Sequence, residues 1–579
     1  MNAKAFQVAF EKTLSKSARL SVDDVALLEK RARALADPKE KKAANEVLAL
    51  VRHDRILDER EVEPARKALC RLLGVSSQRL PVALERALTH AVPVPNVRVA
   101  DYDLAFDFTD AKDAASFPAT CAITLEAAAP KRTVLEIDPE RLTIDDVKAG
   151  GKSVPFTVKD GRLVVDAPGT KKLHVSYRVK PTEDVSGYGL IRDRYAGRMW
   201  TLTWPYNTGA LFPSSSRPDD GATARVTVQV NAGQQVVAPG RKHKDGAFHL
   251  PEPVPAYAIG FTTGKVSDMG TSTRGGYEAR TAGLGSAIPT STRKATREAV
   301  AEAMKFFSAW LGPYPFGNTL NIVEIKSAYG GMEHAGAIAI GVGQTKADTI
   351  EAAVHEAVHS WFGDGVHIAH WGELWMSEGF TNYSTFRFFE KHSGPKEFHR
   401  LLDGAKDALR EQLHDEKKSA PLANHAHVDP QEGLSWVPYM HGAWMLRMLE
   451  VKHGRPTIDA LIRDWYQAKR GVSVSTEDFL AFAKKEHALE LRPFFAEWGR
   501  LEQVPTVTDR SRIDGKSVTL SLKPKGEIPS MQVPVLIEGT RGERLRALVT
   551  PGEPLKLDAG FSVRALTWDG DRTVLVDVR

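Results

Sequence analysis

Cysteine is nearly missing from this 579-residue chain, which carries only Cys70 and Cys121. Two thiols supply no disulfide framework and exclude thiolate ligation as the main metal chemistry, a composition expected of a reducing compartment. Long apolar runs are missing too. None approaches the ~20 residues that a bilayer-spanning helix needs. The N-terminus passes from Met1-Asn2-Ala3-Lys4-Ala5-Phe6 into Glu11, Lys12 and Lys16 without the apolar core of a secretory signal. The expected compartment is therefore the cytoplasm, with no membrane partner. Charge of one sign is also lacking: 78 Lys and Arg against 73 Asp and Glu leave a formal net charge of +5. With no Lys/Arg-dense block, nucleic acid is excluded as an expected partner. Internal repeats and low-complexity tracts are absent, and nothing in these patterns fixes an oligomeric state.

At ~100–200 residues per domain, the length predicts three or four domains. Residues 1–91 read as a helical bundle. Ser21 with Asp24 forms a capping box, Val25, Leu28, Ala32 and Leu35 recur at helical spacing, and Asp37-Pro38 stops the run. Further helices are expected over 43–51, 61–73 and 80–89. The turn at 54–58 lacks the alternating acidic ligands and the glycine of a calcium loop, so the bundle reads as a packing or docking module. After the linker Ala91-Val92-Pro93-Val94-Pro95 the period changes to two. Tyr102, Leu104, Phe106 and Phe108 alternate with polar positions, and residues 92–280 are expected to form an antiparallel β-sandwich or saddle. Residues 281–503 mix a helix over 291–311, a strand over 320–325 and a long helical stretch from 390. Residues 504–579 return to short alternating strands, as in a second, small β-sandwich. The fold class is multidomain α+β.

The most informative stretch is His355-Glu356-Ala357-Val358-His359, with eighteen residues between it and Glu378. On a helix, positions i and i+4 lie about 40° apart, so both imidazoles project from one face and can share one ion. Glu356 points off that axis but stays close, which suits a carboxylate that takes a proton from water beside the metal without ligating it. Glu378 supplies a third ligand from a second helix flanked by Trp371, Trp375, Phe380, Tyr383 and Phe386. Three protein ligands leave one position open, the mark of a catalytic zinc, one ion per chain. The helix expected over 350–362 carries Ala353, Val354, Ala357, Val358, Trp361 and Phe362. It is therefore largely buried, and its His and Glu residues need partners.

Upstream of this motif stands Gly330-Gly331-Met332-Glu333, and with it the sequence resembles the gluzincin aminopeptidases of peptidase family M1. The resemblance extends to Trp361-Phe362-Gly363, Tyr314-Pro315-Phe316, the segment 254–260 and Pro438-Tyr439, and so covers roughly residues 92–579. It implies a thermolysin-like catalytic domain and zinc-dependent removal of N-terminal residues from peptides. Glu356 would act as general base and acid, and Tyr439 would donate its phenol to the carbonyl oxygen. Glu333 would pair with the substrate's free α-amine, and the Gly331-Met332 backbone would run along the peptide. Three departures bear on substrate choice. His334 stands where the family has Asn, a titratable group expected to narrow the site or make binding depend on pH near ~6.5. Trp204 stands where an acidic residue or Gln usually helps to hold the amine, which leaves a cation–π contact. Met440-His441-Gly442 replaces the frequent Glu-Lys-Gly. The chain also ends without the large C-terminal helical domain of many relatives, so an open site that admits longer peptides is expected.

Two alternatives stay open on the sequence. An endopeptidase or other zinc hydrolase on the same core would cleave peptides with an acetylated N-terminus. A catalytically silent peptide-binding protein would hold zinc without turnover.

Overall fold

The computed structural model describes residues 3–14, 22–52, 62–73, 95–109, 114–129, 131–195, 197–205, 207–266, 268–283, 288–327, 330–416, 420–423 and 435–579. The N-terminal segment forms the helices Ala3–Leu14, Val22–Arg33, Pro38–Arg52 and Val62–Leu73. They bury a core of their own from Phe6, Phe10, Leu28, Ala32, Leu48 and Leu69. Asp37 and Pro38 do more than end a helix. The Asp37 carboxylate accepts from Lys39 N at 2.7 Å, and Pro38 opens the next helix, where its missing N–H costs nothing. Ser21, the turn at 54–58, the helix expected over 80–89 and the start of the linker lie outside the described residues.

The period-two region is β-rich as expected, but its pairing is mixed, not wholly antiparallel. Val99–Asp107 sits inside an eight-stranded sheet, parallel to Gly221–Gln229 and antiparallel to Phe117–Leu125. Tyr102, Leu104 and Phe106 point into the core, while the residues between them are half-buried. A four-stranded sheet of Gln235–Val237, Thr262–Gly264, Arg198–Leu202 and Gly189–Asp193 carries the chain toward the zinc-motif region. Arg198–Leu202 is buried at every position.

The next sheet holds five strands in the order Asp268–Arg274, Tyr277–Gly283, Thr319–Ile325, Ala337–Gly341 and Gly331–Met332. The boundary expected at residue 280 therefore falls inside a strand. Tyr277–Gly283 pairs in parallel with Thr319–Ile325, so hydrogen bonding assigns residues 268–283 to this sheet despite their β-rich sequence. Gly331–Met332 is an edge strand, with Gly331 opposite Ile340 and Met332 opposite Ala339. Helices then dominate: Lys346–Val358, Trp375–Ser393, Pro395–Glu416, Gly442–His453, Arg455–Lys469, Thr476–His487 and Arg492–Trp498. The last segment, from Thr506, builds three three-stranded sheets. One continuous core joins the β region, the helical region and this segment. No helix of the described residues is long and apolar enough to cross a membrane, and the two cysteines form no disulfide.

Candidate metal centre and active site

The helix Lys346–Val358 begins at Thr345, whose hydroxyl accepts from Asp348 N at 3.2 Å. Its inner face is held by Ala353, Val354, Ala357 and Val358, all fully buried. The helix ends four residues earlier than the hydrophobic pattern predicts. His359 is its C-cap, and Ser360 and Trp361 donate to carbonyls only three residues back, which tightens the chain into turns. The i, i+4 relation survives, with the two Nε2 atoms 3.1 Å apart. Glu378 lies in the first turn of Trp375–Ser393, a helix buried continuously from Trp375 to Phe389. It places Oε2 3.4 Å from His355 Nε2 and 3.2 Å from His359 Nε2.

Three atoms thus converge from two helices, and their chemistry fits a divalent metal. His359 Nδ1 stands 2.9 Å from the Phe362 carbonyl, which can only accept, so Nδ1 carries the proton and Nε2 presents its lone pair inward. Glu378 Oε2 is buried and has no hydrogen bond of acceptable geometry. A buried carboxylate oxygen with no donor, facing two imidazole nitrogens, is a donor set that could hold a divalent metal ion. Among the described residues this is the one cluster with metal-ligand geometry. No Lys or Arg lines the adjoining cavity of about 340 Å³, although Glu333, Glu356 and Glu378 all do. Burial and mutual repulsion push the Glu356 carboxyl well up and push Glu333 up in the same way. Such a concentration of negative charge calls for cations.

The edge strand runs directly against the Glu356 side chain. A Cβ built on Gly331 would come within 2.3 Å of Glu356 Oε1, so only glycine lets the edge strand pass this close to the carboxylate. Tyr439 sits in a wide turn, Val437–His441, that leads into Gly442–His453. Its ring lies parallel to that of His355, with centroids 6.2 Å apart. Burial and the three carboxylates hold its phenol well above the usual range, so it keeps its proton. The approach of this turn depends on two glycines. A Cβ on Gly379 would meet Gly442 Cα at 2.8 Å, and one on Gly442 would meet Gly379 Cα at 2.7 Å. Glycine against glycine lets the helix of Glu378 and the turn of Tyr439 touch backbone to backbone.

The structure brings His355, Glu356, His359, Glu378, Glu333 and Tyr439 around one cavity, with Gly331, Met332 and Trp204 in its walls. Trp204 is half-buried and packs perpendicular to Trp371, with centroids 6.3 Å apart. His334 is a correction. It is fully buried, does not line the cavity, and packs against Gly260, where a Cβ would lie 2.2 Å from its Nε2. Desolvation pushes its pKa down to about 3, so it neither narrows the cavity nor titrates near 6.5. His441 is likewise buried and neutral, pushed down to about 4. The sequence reading passed over the Gly379–Gly442 contact, although a glycine directly after Glu378 and another three residues after Tyr439 were its trace. It also passed over Tyr188, Leu202 and Trp436 in the cavity walls, which come from separate segments and carry no local pattern. Trp436 is 48% exposed, the only exposed tryptophan among the described residues, and meets Tyr439 edge-on.

Comparison with known proteins places this fold beside characterised peptidases. Residues 296–498 match the model of the peptidase family M1 domain. A probable aminopeptidase 1 from Sulfurisphaera tokodaii is 23% identical over 514 residues, covering 82% of this chain and 62% of that protein. A leucine aminopeptidase 2 from Aspergillus clavatus is 25% identical over 295 residues, covering 47% of this chain and 46% of the relative. The chain therefore spans between about half and three fifths of the length of these curated relatives. Among solved structures, aminopeptidase A from Legionella pneumophila, in complex with aspartic acid, superposes with a TM-score of 0.68 at 16% identity, over 85% of this chain and 60% of that one. An M1 zinc metallopeptidase from Deinococcus radiodurans gives 0.58 at 22% identity, over 72% of this chain and 96% of that one.

Proposed function

We propose that this chain, whose residues 296–498 match the peptidase family M1 domain, is a zinc-dependent aminopeptidase, with one ion held by His355, His359 and Glu378. The observation that carries this reading is the convergence of three ligand atoms, one of them a buried carboxylate oxygen without a hydrogen bond, beside a second buried carboxylate and a protonated phenol around one cavity. Zinc bound there would polarise the scissile carbonyl and acidify water. Glu356, its carboxyl pushed up by burial, takes the proton from the attacking water and returns it to the leaving amine. Tyr439 donates its phenol to the oxygen on which negative charge develops. Glu333 is left to pair with the substrate ammonium, a charge-assisted bond that sets the first peptide bond over the metal. The unpaired edge of Gly331–Met332 offers the peptide backbone a strand to join.

In this reading residues 1–91 form an accessory bundle, 268–503 the catalytic unit and 504–579 a β-rich C-terminal unit. The free thiols suit a reducing compartment. The test is hydrolysis of short peptides, each with a free or an acetylated N-terminus, by zinc-loaded protein with a chelator control. Chelator-sensitive release of the first residue from the free peptides alone supports the proposal. Cleavage of both forms would make the protein an endopeptidase, and cleavage of neither would make it a binding protein.

A further inference from the structure

We infer that the amine site also accepts peptides whose N-terminal nitrogen is methylated, so that the enzyme releases N-methyl amino acids as well as ordinary ones. This inference rests on the aminopeptidase reading and extends it from the charge inventory of the cavity. Among its described lining residues the only carboxylates are Glu333, Glu356 and Glu378, and no amide side chain or cation is present. Glu378 faces the two imidazoles, and Glu356 must stay free for the proton of the attacking water. That leaves Glu333 as the sole anionic partner of the substrate's ammonium.

One carboxylate does not use all three N–H donors of a primary ammonium. The surfaces that complete the cavity are aromatic or apolar, with Trp204, Trp436, Tyr188 and Met332 among them. An N–H that points at such a wall can be replaced by N–CH₃ without leaving a polar group unpaired, because the positive charge stays and the methyl is welcome there. Aromatic faces attract alkylated ammonium groups through the ring quadrupole, the principle by which methylated lysine is recognised in aromatic cages. Trp204 is the face best placed for this. It is half-buried with indole surface left in the wall, and its packing against Trp371, which in turn meets Tyr257 at 5.5 Å between centroids, holds it in place. The Tyr257 phenol feels the charge of Glu333, so the aromatic cluster and the carboxylate share one neighbourhood. The reaction is unchanged in its balance: water adds across the first peptide bond, and the N-methyl amino acid leaves with the shortened peptide as co-product.

The test compares zinc-loaded enzyme on one tripeptide carrying a free, an N-methyl, an N,N-dimethyl or an N-acetyl terminus. The expected result is a kcat/KM for the N-methyl peptide within about tenfold of the free one, with the acetylated peptide not cleaved. In Trp204→Ala the ratio of N-methyl to free rate falls about fourfold, the worth of one methyl group losing its apolar wall, because both substrates lose the cation–π contact alike, while Trp204→Phe keeps it. Reading a ratio removes any general loss of activity in either variant. An N-methyl peptide as inert as the acetylated one, beside rapid turnover of the free peptide, overturns this inference and leaves the aminopeptidase standing. A free peptide that is not hydrolysed overturns the aminopeptidase reading itself. A ratio unchanged in Trp204→Ala removes the role of that ring.

Discussion

Replacing Gly331 by alanine should separate folding from catalysis in a single methyl group. Gly331 has no left-handed backbone, so alanine fits its conformation, and its pairing opposite Ile340 is kept. The added Cβ would lie 2.3 Å from Glu356 Oε1 and 2.6 Å from its Cγ and Cδ. Ordinary contact is ~3.5 Å, so the carboxylate must retreat by about 1 Å. The group that has to move is the end of a flexible side chain, which makes the cost to stability small. A displacement of ~1 Å at a reacting group is worth on the order of 10²-fold in rate. The metal ligands are not touched. The expected variant therefore melts like the parent, binds one zinc, and loses about 10²-fold in kcat with little change in KM. Turnover near the parental rate would refute the placing of Glu356 as the base, and loss of zinc would refute the claim that the methyl reaches Glu356 alone.

Further outcomes follow from the same geometry. Glu356→Gln should keep its zinc, measured by metal analysis, and lose ~10²-fold or more in rate, as removal of a general base does. Tyr439→Phe should lower kcat by about 10²-fold, the worth of one donor to a developing oxyanion, with zinc content unchanged. Gly379→Ala should act differently, because the obstacle is the Gly442 backbone 2.8 Å away. The helix and the turn must part, so both the melting temperature and the zinc affinity should fall. Acid should destabilise the fold through three buried neutral histidines. Burial holds His334 at about 3 and His367 and His441 at about 4, against ~6.5 when unfolded. Between pH 6.5 and 4 the unfolded chain binds protons that the folded chain does not, so stability present at neutral pH is lost as pH falls, about 2 kcal/mol per histidine at pH 5. Urea midpoints measured at pH 7 and pH 5 check this, and equal midpoints would count against it.

The metal ligands were legible because a helix converts spacing into direction. His355 and His359 could meet only if their segment was helical, and its apolar pattern said so. The end of that helix was not legible, since Trp361 and Phe362 continue the apolar pattern while the backbone already turns to free His359. The alternation of Tyr102, Leu104 and Phe106 announced strands, but alternation does not say which sheet a strand joins, and so residues 268–280 were grouped with the preceding β region. His334 shows the limit most clearly. Its identity suggested a titrating group in the site, whereas its environment, against Gly260 and cut off from water, keeps it neutral. Cavity walls from residues as distant as Tyr188 and Trp436 are set by packing between segments, which no local pattern records.

The central claim is that this chain hydrolyses peptides from their N-terminus with a single zinc held by His355, His359 and Glu378. Its most direct test is titration of zinc into metal-stripped protein while release of the first residue from an unblocked tripeptide is followed. The account predicts no turnover without metal, and a rate that rises in step with bound zinc and levels off at one ion per chain. Undiminished turnover by the stripped protein, or saturation with zinc without any release of the first residue, would contradict it.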